Sequence, residues 1–310
     1  MIPTGSYLLV LHKDESTVAY IHPETGETVR TIPVDLNPHE ATLSRDGRFA
    51  YVSCAGGNTV AVIDVKQGEV VQKIAHPDFK FPHGMDVTHD NRWLWLVSTY
   101  ANKLFFISIP EHRVERVLPL HQSLTHMVHM TPSGERAYIA NIGSHNITIM
   151  DVASQSVVTH LPVGKGPEGL ALHPDGKHVY VANQEENTLF VLSTETHEVL
   201  WKRRLGTLPV RAVFTPDGRY CLVPNRESHD LSVVAHMHKG ATPEPSPWEI
   251  KRIPVGRWPG GVVVRPDGSE AYVANNKTND ISVIDLQKLK EVRRIDCGIH
   301  PDGIAWVEVG

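Results

Sequence analysis

Three histidines and one carboxylate recur at nearly constant spacing: His39, His83, His126 and Glu168 lie 44, 43 and 42 residues apart. Neutral imidazole and carboxylate are preferred ligands of Fe, Mn, Zn and Cu. Three His with one carboxylate suit a single divalent transition-metal ion that keeps an open position. Such an ion would act as a Lewis acid, lower the pKa of bound water or bind dioxygen. The same register continues through Val210 and Gly260 to Asp302, so the repeat itself does not require histidine there. In this reading Glu168 is the fourth ligand or a general base, and Asp302 and Asp86 orient imidazoles from behind. His129 adds to a second polar layer with Asp86. Arg211 binds a substrate carboxylate or phosphate, or else closes an ion pair with Glu40 or Glu168. Glu168, Arg211 and His129 are therefore the candidate catalytic groups, and Asp302, Asp86, Glu40, His12 and Cys54 are candidates to touch substrate or support the ligands. A lone Cys in a strand is more often a packing residue than a nucleophile, which sets Cys54 low among them.

The spacing reflects what positions these residues. Aligned on itself, the chain repeats an apolar strand, a turn of the Pro-Asp-Gly kind and a Tyr-Val-Ala-Asn strand, most clearly at 171–193, 213–234 and 263–285. Each copy holds four short β-branched or aromatic runs separated by Gly, Asn, Asp and Pro, the pattern of a four-stranded meander. A period of 42 to 44 residues, once 50, matches a propeller blade, and the strands lack the 3.6 periodicity of a helical solenoid. Six full copies start near 38, 82, 125, 167, 209 and 259. Three strands within 6–33 and one within 299–309 supply a seventh blade that closes the ring. The expected fold is all-β: a seven-bladed β-propeller of four-stranded antiparallel blades forming one domain over 1–310.

Within each blade the candidate residue stands at the start of the inner strand, which converges on one rim of the channel. Strict alternation gives it the parity of the packing set Leu43, Val87, Met130, Leu172, Phe214, Val264 and Trp306. The next column, Glu40, Gly84, Met127, Gly169, Arg211, Gly261 and Gly303, would face the channel. A further column ends the second strand: His12, Cys54, Ser98, Asn141, Asn183, Asn225 and Asn275, with Asn as the repeat's own residue. His89, His112, His173, His178 and His197 read as surface, and His145 and His229 as decoration of the repeat. The loop 76–82 is placed to cover the site as a partial lid. The Pro-rich stretch 236–248 reads as an insertion on the other face and a candidate protein contact.

Through Tyr180-Val-Ala-Asn183 and Tyr272-Val-Ala-Asn275, with degenerate copies elsewhere, the chain resembles the YVTN-repeat propellers and their lactonase-like relatives over nearly its whole length. The resemblance implies the fold. It spans lactonases, lyases, metal-dependent oxidases, binding proteins and surface-layer modules, so function must be argued from the site.

A net charge of -5, with 19 His counted as neutral and no block among the 30 Lys and Arg, gives no footprint for nucleic acid. No apolar run approaches the length that spans a bilayer, and the N-terminus lacks the parts of a signal peptide, so a cytoplasmic location is expected. Three widely separated cysteines do not form a disulfide framework. GxSxG, Walker and CxxC motifs are absent. The leading expectation is a metal-dependent enzyme acting on a small anionic molecule at the channel mouth. A metal-free lactonase or lyase using the channel His, Glu and Arg is the alternative, and a protein-binding scaffold the third.

Overall fold

In a computed structural model that describes residues 1–236 and 247–310, every regular element is a strand, and the strands form seven four-stranded antiparallel sheets. The first strand, Gly5–His12, lies between Thr17–Ile21 and the final strand, Pro301–Val309, so the two ends of the chain share one blade. The chain is a seven-bladed propeller closed in this way. We name this the closing blade and number the others one to six in chain order. Inner strands begin at Pro38, Pro82, Thr125, Pro167 and Pro259 in blades one to four and six. Blade five differs: its inner strand is reduced to Val213–Phe214, preceded by a single bridge between Pro209 and Asn225.

By contacts the chain divides into two compact units. One comprises Met1–Val128 with Asp296–Gly310, the other His129–Ile295. In the first, Tyr51 and Trp95, on the second strands of blades one and two, are fully buried. In the second, Tyr138, Tyr180 and Tyr272 occupy the same place and are equally enclosed. This is the Tyr of the repeated motif. Removing such a ring from water contributes about 1.5–3 kcal/mol, which explains why the repeat keeps an aromatic there.

The parity conflict noted in the sequence is resolved by a bulge. In blade one Pro38 lies opposite Cys54 and Glu40 opposite Ser53, so His39 is an extra residue in the ladder. Blade four does the same around Glu168, between Pro167 and Gly169. Blade two shifts register between Pro82 and Met85, and the closing blade across Asp302. An extra residue re-aims the side chain and removes it from the alternation of the strand.

Two residues ahead of the place of His39 the backbone is left-handed in every blade: Asn37, Phe81, Leu124, Gly166, Leu208, Trp258 and His300 have φ between 52° and 65°. For the six that are not glycine this geometry costs on the order of 1 kcal/mol or more each. In blades two to six it is held by a latch from the preceding blade. The N–H groups of Phe81, Leu124 and Leu208 donate to the Oδ1 atoms of Asn58, Asn102 and Asn187 at 2.7–2.8 Å. In place of Asn, His145 Nδ1 accepts from Gly166 N–H at 3.0 Å and His229 Nδ1 from Trp258 N–H at 3.3 Å. These two histidines, expected as decoration, are latches of the bulge.

The column after the bulge also departs from expectation. A Cβ on Gly84 would lie 2.6 Å from the His126 carbonyl oxygen and the Met127 Cα, and one on Gly303 would lie 2.5 Å from the His39 carbonyl oxygen. In the first unit this column faces the backbone of the next inner strand. Glycine is required there because the strands approach so closely.

Candidate functional site

Four of the expected residues meet in the first unit. His39 Nδ1 lies 2.8 Å from Asp302 Oδ2, with both side chains buried. The His39 and His83 rings are 5.1 Å apart between centroids, and His83 stacks on His126 at 3.7 Å with 28° between planes. The starts of the inner strands of three blades and of the closing blade thus bring three imidazoles and one carboxylate together. A carboxylate close to Nδ1 favours the tautomer in which Nδ1 carries the proton, and in that tautomer Nε2 of His39 is a base or ligand atom.

Three side chains not anticipated in these roles complete the surroundings. Lys13 Nζ stands 3.5 Å from Asp302 Oδ2. Thr99 Oγ1 meets His126 Nδ1 at 3.3 Å. Both follow the last residue of a second strand, where no repeated side chain flags them. Phe81 packs at 5.1 Å from His39, stacks at 6.0 Å on His83 and contacts Tyr100. Its loop, expected as a partial lid, packs Phe81 against the imidazoles. Phe79 is buried against Phe105 at 4.8 Å, and Lys103 pairs with Asp78 at 2.7 Å.

In the second unit Glu168 and Arg211 meet each other. The Arg211 guanidinium reaches Glu168 Oε1 at 2.5 Å and the Arg211 N–H donates to Oε2 at 2.8 Å, all within buried side chains. Of the two ion pairs expected for Arg211, the one with Glu168 forms. Arg211 has φ 51°, and the inner strand of blade five is short because the chain turns here to present both donors. Breaking such a buried pair on one side costs about 3–5 kcal/mol. His129 is half-buried on the strand Thr125–Met130. Asp86 meets Arg45 at 3.2 Å and its neighbour Val87 N–H at 2.8 Å. Glu40 is half-buried, with its N–H donating to Ser53 Oγ at 3.2 Å.

His12 and Cys54 serve the framework. Gly298 N–H donates to His12 Nε2 at 3.1 Å, and His12 Nδ1 faces Thr17 Oγ1 at 3.2 Å and Glu15 Oε2 at 3.3 Å. Burial lowers the pKa of His12 from its ordinary value, opposed by the Glu15 charge. Ser98 does the same work in blade two, bonding both the N–H and the carbonyl of Lys80 at 2.8 Å. Cys54 is fully enclosed, and burial pushes its thiol up to about 11, so it is not a nucleophile near neutral pH.

One expectation is reversed outright. His173 and His178 are buried rather than exposed, beside Asp175 and His236. Of the Pro-rich stretch 236–248, residues 237–246 lie outside the described residues, and with them most of the expected contact surface. Among the described residues no helix is long and apolar enough to cross a membrane.

Residues 112–307 match the family described as "Lactonase, 7-bladed beta-propeller". No curated protein sequence matches the chain. Among solved structures, the periplasmic gluconolactonase of Pseudomonas aeruginosa is 19% identical, with a TM-score of 0.80, over 99% of this chain and 100% of that one. A functionally unknown protein of Desulfotomaculum acetoxidans is 14% identical, with a TM-score of 0.85, over 99% and 100%. Hydrazine synthase of Kuenenia stuttgartiensis is 20% identical, with a TM-score of 0.77, over 88% and 90%. At these identities the likeness is one of fold.

Proposed function

The chain belongs to the seven-bladed lactonase propeller family, and from that premise we propose that it hydrolyses a small lactone with the buried Asp302–His39 pair as general base. The observation that carries this reading is the 2.8 Å contact between His39 Nδ1 and Asp302 Oδ2. Water adds to the lactone carbonyl carbon as its proton passes to His39 Nε2. The tetrahedral oxyanion then collapses, the ring C–O bond breaks, and the leaving alkoxide takes the proton back to give the open hydroxy acid. N–H groups of the stacked His83 and His126 supply hydrogen bonds to the developing oxyanion. Lys13, beside Asp302, gives the substrate's anionic groups a cationic neighbour.

A metal-dependent reaction is the second reading, and the same contact favours it, because a carboxylate at Nδ1 commonly orients a metal-bound imidazole. It places one divalent ion, Fe, Mn, Zn or Cu, on His39, His83 and His126. Glu168, the fourth ligand expected from sequence, spends both oxygens on Arg211. We keep the cytoplasmic location as part of the proposal, to be checked by cell fractionation. The test is ring opening across sugar-acid lactones by tag-free protein after exhaustive chelation. The first reading expects hydrolysis to persist. Loss on chelation with recovery on adding one metal would replace it with the second, and no hydrolysis under either condition would end both.

A further inference from the structure

We propose that His173, Asp175, His178 and His236 form a closed, tetrahedral site for one zinc-class divalent cation that fastens blade four to blade five. Their ligand atoms all lie within 4.8 Å of one another. A tetrahedral ion with bonds near 2.0–2.2 Å needs separations of about 3.4 Å, which small side-chain rotations supply by opening the closest pairs and drawing in the more distant ones. The three histidine side chains are at most about a tenth exposed. The His173 and His236 rings stack at 3.7 Å, and His178 stands 5.2 Å from His236.

The contacts of His173 turn its Nδ1 toward the Asp175 carboxylate. Its Nε2 lies 2.9 Å from the Gly218 carbonyl oxygen, which can only accept, so Nε2 carries the proton. Asp175 N–H donates to Nδ1 at 3.1 Å, so Nδ1 presents a lone pair. Yet Nδ1 also lies 2.9 Å from Asp175 Oδ1, another acceptor. An imidazole nitrogen and a carboxylate oxygen this close share a proton or a cation, and an ion that takes the place of the proton would bind both once the pair opens slightly. On the other side, Tyr180 Oη holds His236 Nδ1 at 2.8 Å, the kind of outer contact that fixes a ligating ring while its Nε2 points inward, here 3.9 Å from Asp175 Oδ2.

The repeat supplies a second, independent argument. In blades one, two and five the place of His173 is taken by Ser44, Thr88 and Thr215, whose hydroxyls bond the turn aspartate at 2.5–2.6 Å. Where His236 follows the third strand of blade five, Val65, Ile109 and Leu286 follow those of blades one, two and six, each with the same backbone bond back to the preceding turn. Only in blades four and five are a hydroxyl and an apolar position both replaced by imidazole, and the two replacements meet. The set is closed by four protein ligands, as structural zinc sites are. Because the ligands come from two blades, the binding energy of the ion becomes stability of that pair of blades.

The test uses tag-free full-length protein stripped of metal and titrated with Zn²⁺. We expect one equivalent bound, a zinc-dependent rise in melting temperature, and Co²⁺ absorption typical of tetrahedral coordination. The double variant H173T/H236V restores residues that other blades carry, which favours folding. It should weaken zinc binding about 100-fold or more and abolish the rise, while H39A should leave both intact. Should the double variant not fold, the Co²⁺ spectrum of the natural protein decides: an octahedral spectrum, or none, overturns the proposal. Zinc binding that survives H173T/H236V, or that H39A removes, overturns it equally. Lactone hydrolysis by H173T/H236V should stay within about 2-fold of the natural protein, so failure here is distinguishable from failure of the hydrolase reading.

Discussion

The cluster of His39, His83, His126 and Asp302 draws one residue from each of four blades, at the same place in each inner strand. The cluster of His173, Asp175, His178 and His236 draws three from a single turn and the fourth from a neighbouring strand end. In the first, the fold brings distant residues to one level and the carboxylate stands at one side, against a single imidazole. In the second, the carboxylate sits among the imidazoles, with both oxygens engaged by His173 and His178. Burial alone would raise the pKa of Asp175, but its bonds to His173, His178 and the Lys177 N–H outweigh that and hold it well below the usual carboxylate range. The lesson is that histidine content does not distinguish a proton-transfer site from a ligand cage; the placement of the carboxylate does.

That contrast breaks most visibly in activity. Replacing His39 with Ala should lower kcat/KM for lactone hydrolysis by about 10²- to 10⁴-fold, the range of a lost general base, while zinc-dependent stabilisation is unchanged. An equal loss of both would merge the two clusters into one function. Next in size is the backbone contact that sets the first cluster. Gly84→Ala forces a Cβ to within 2.6 Å of the His126 carbonyl and should cost about 2 kcal/mol or more, measured by denaturant unfolding. A neutral result would mean that the spacing of the bulges is not fixed by that approach.

Smaller effects test the latches. His145→Asn should be nearly neutral, because Asn does the same work in blades one, two and four. His145→Leu leaves the Gly166 N–H without its acceptor and should cost about 1–2 kcal/mol. The smallest is a pH effect at His12. Burial holds its folded pKa below its unfolded value, so the unfolded chain binds the extra proton first. The stability tied to it is fully present above the unfolded value near 6.5, and falls as pH drops from there toward the folded value. His12→Asn, the repeat's own residue, should flatten that slope between about pH 7 and 5 in melting-temperature profiles.

The fold was largely legible, because a motif copied six times leaves little freedom and the unpaired terminal strands could only complete a seventh blade. The rim cluster was legible for the same reason: one structural place per blade puts His39, His83, His126 and Asp302 in one column. Their aim was not, since strand parity argued against it and a bulge leaves no signature in residue type beyond the preceding Pro. Glu168 stood in the same column, yet its pairing depended on the irregular backbone at Arg211, which the repeat conceals. His173 and His178 read as surface because they flank an exposed turn at Asp175 and Lys177, although the place of His173 is buried in other blades too, as Ser44, Thr88 and Thr215. Departure from the repeat is the signal that marks His173, as it marks His39.

The central claim is that Asp302 sets the state of His39 for proton transfer. It is tested most directly by the pH profile of kcat/KM for metal-stripped natural protein beside Asp302→Asn. We expect the variant to fold with unchanged zinc binding, to lose about 10- to 100-fold in kcat/KM, and to shift its acidic limb to lower pH, because an anionic neighbour favours the protonated imidazole. An unchanged rate and an unchanged limb would contradict the account.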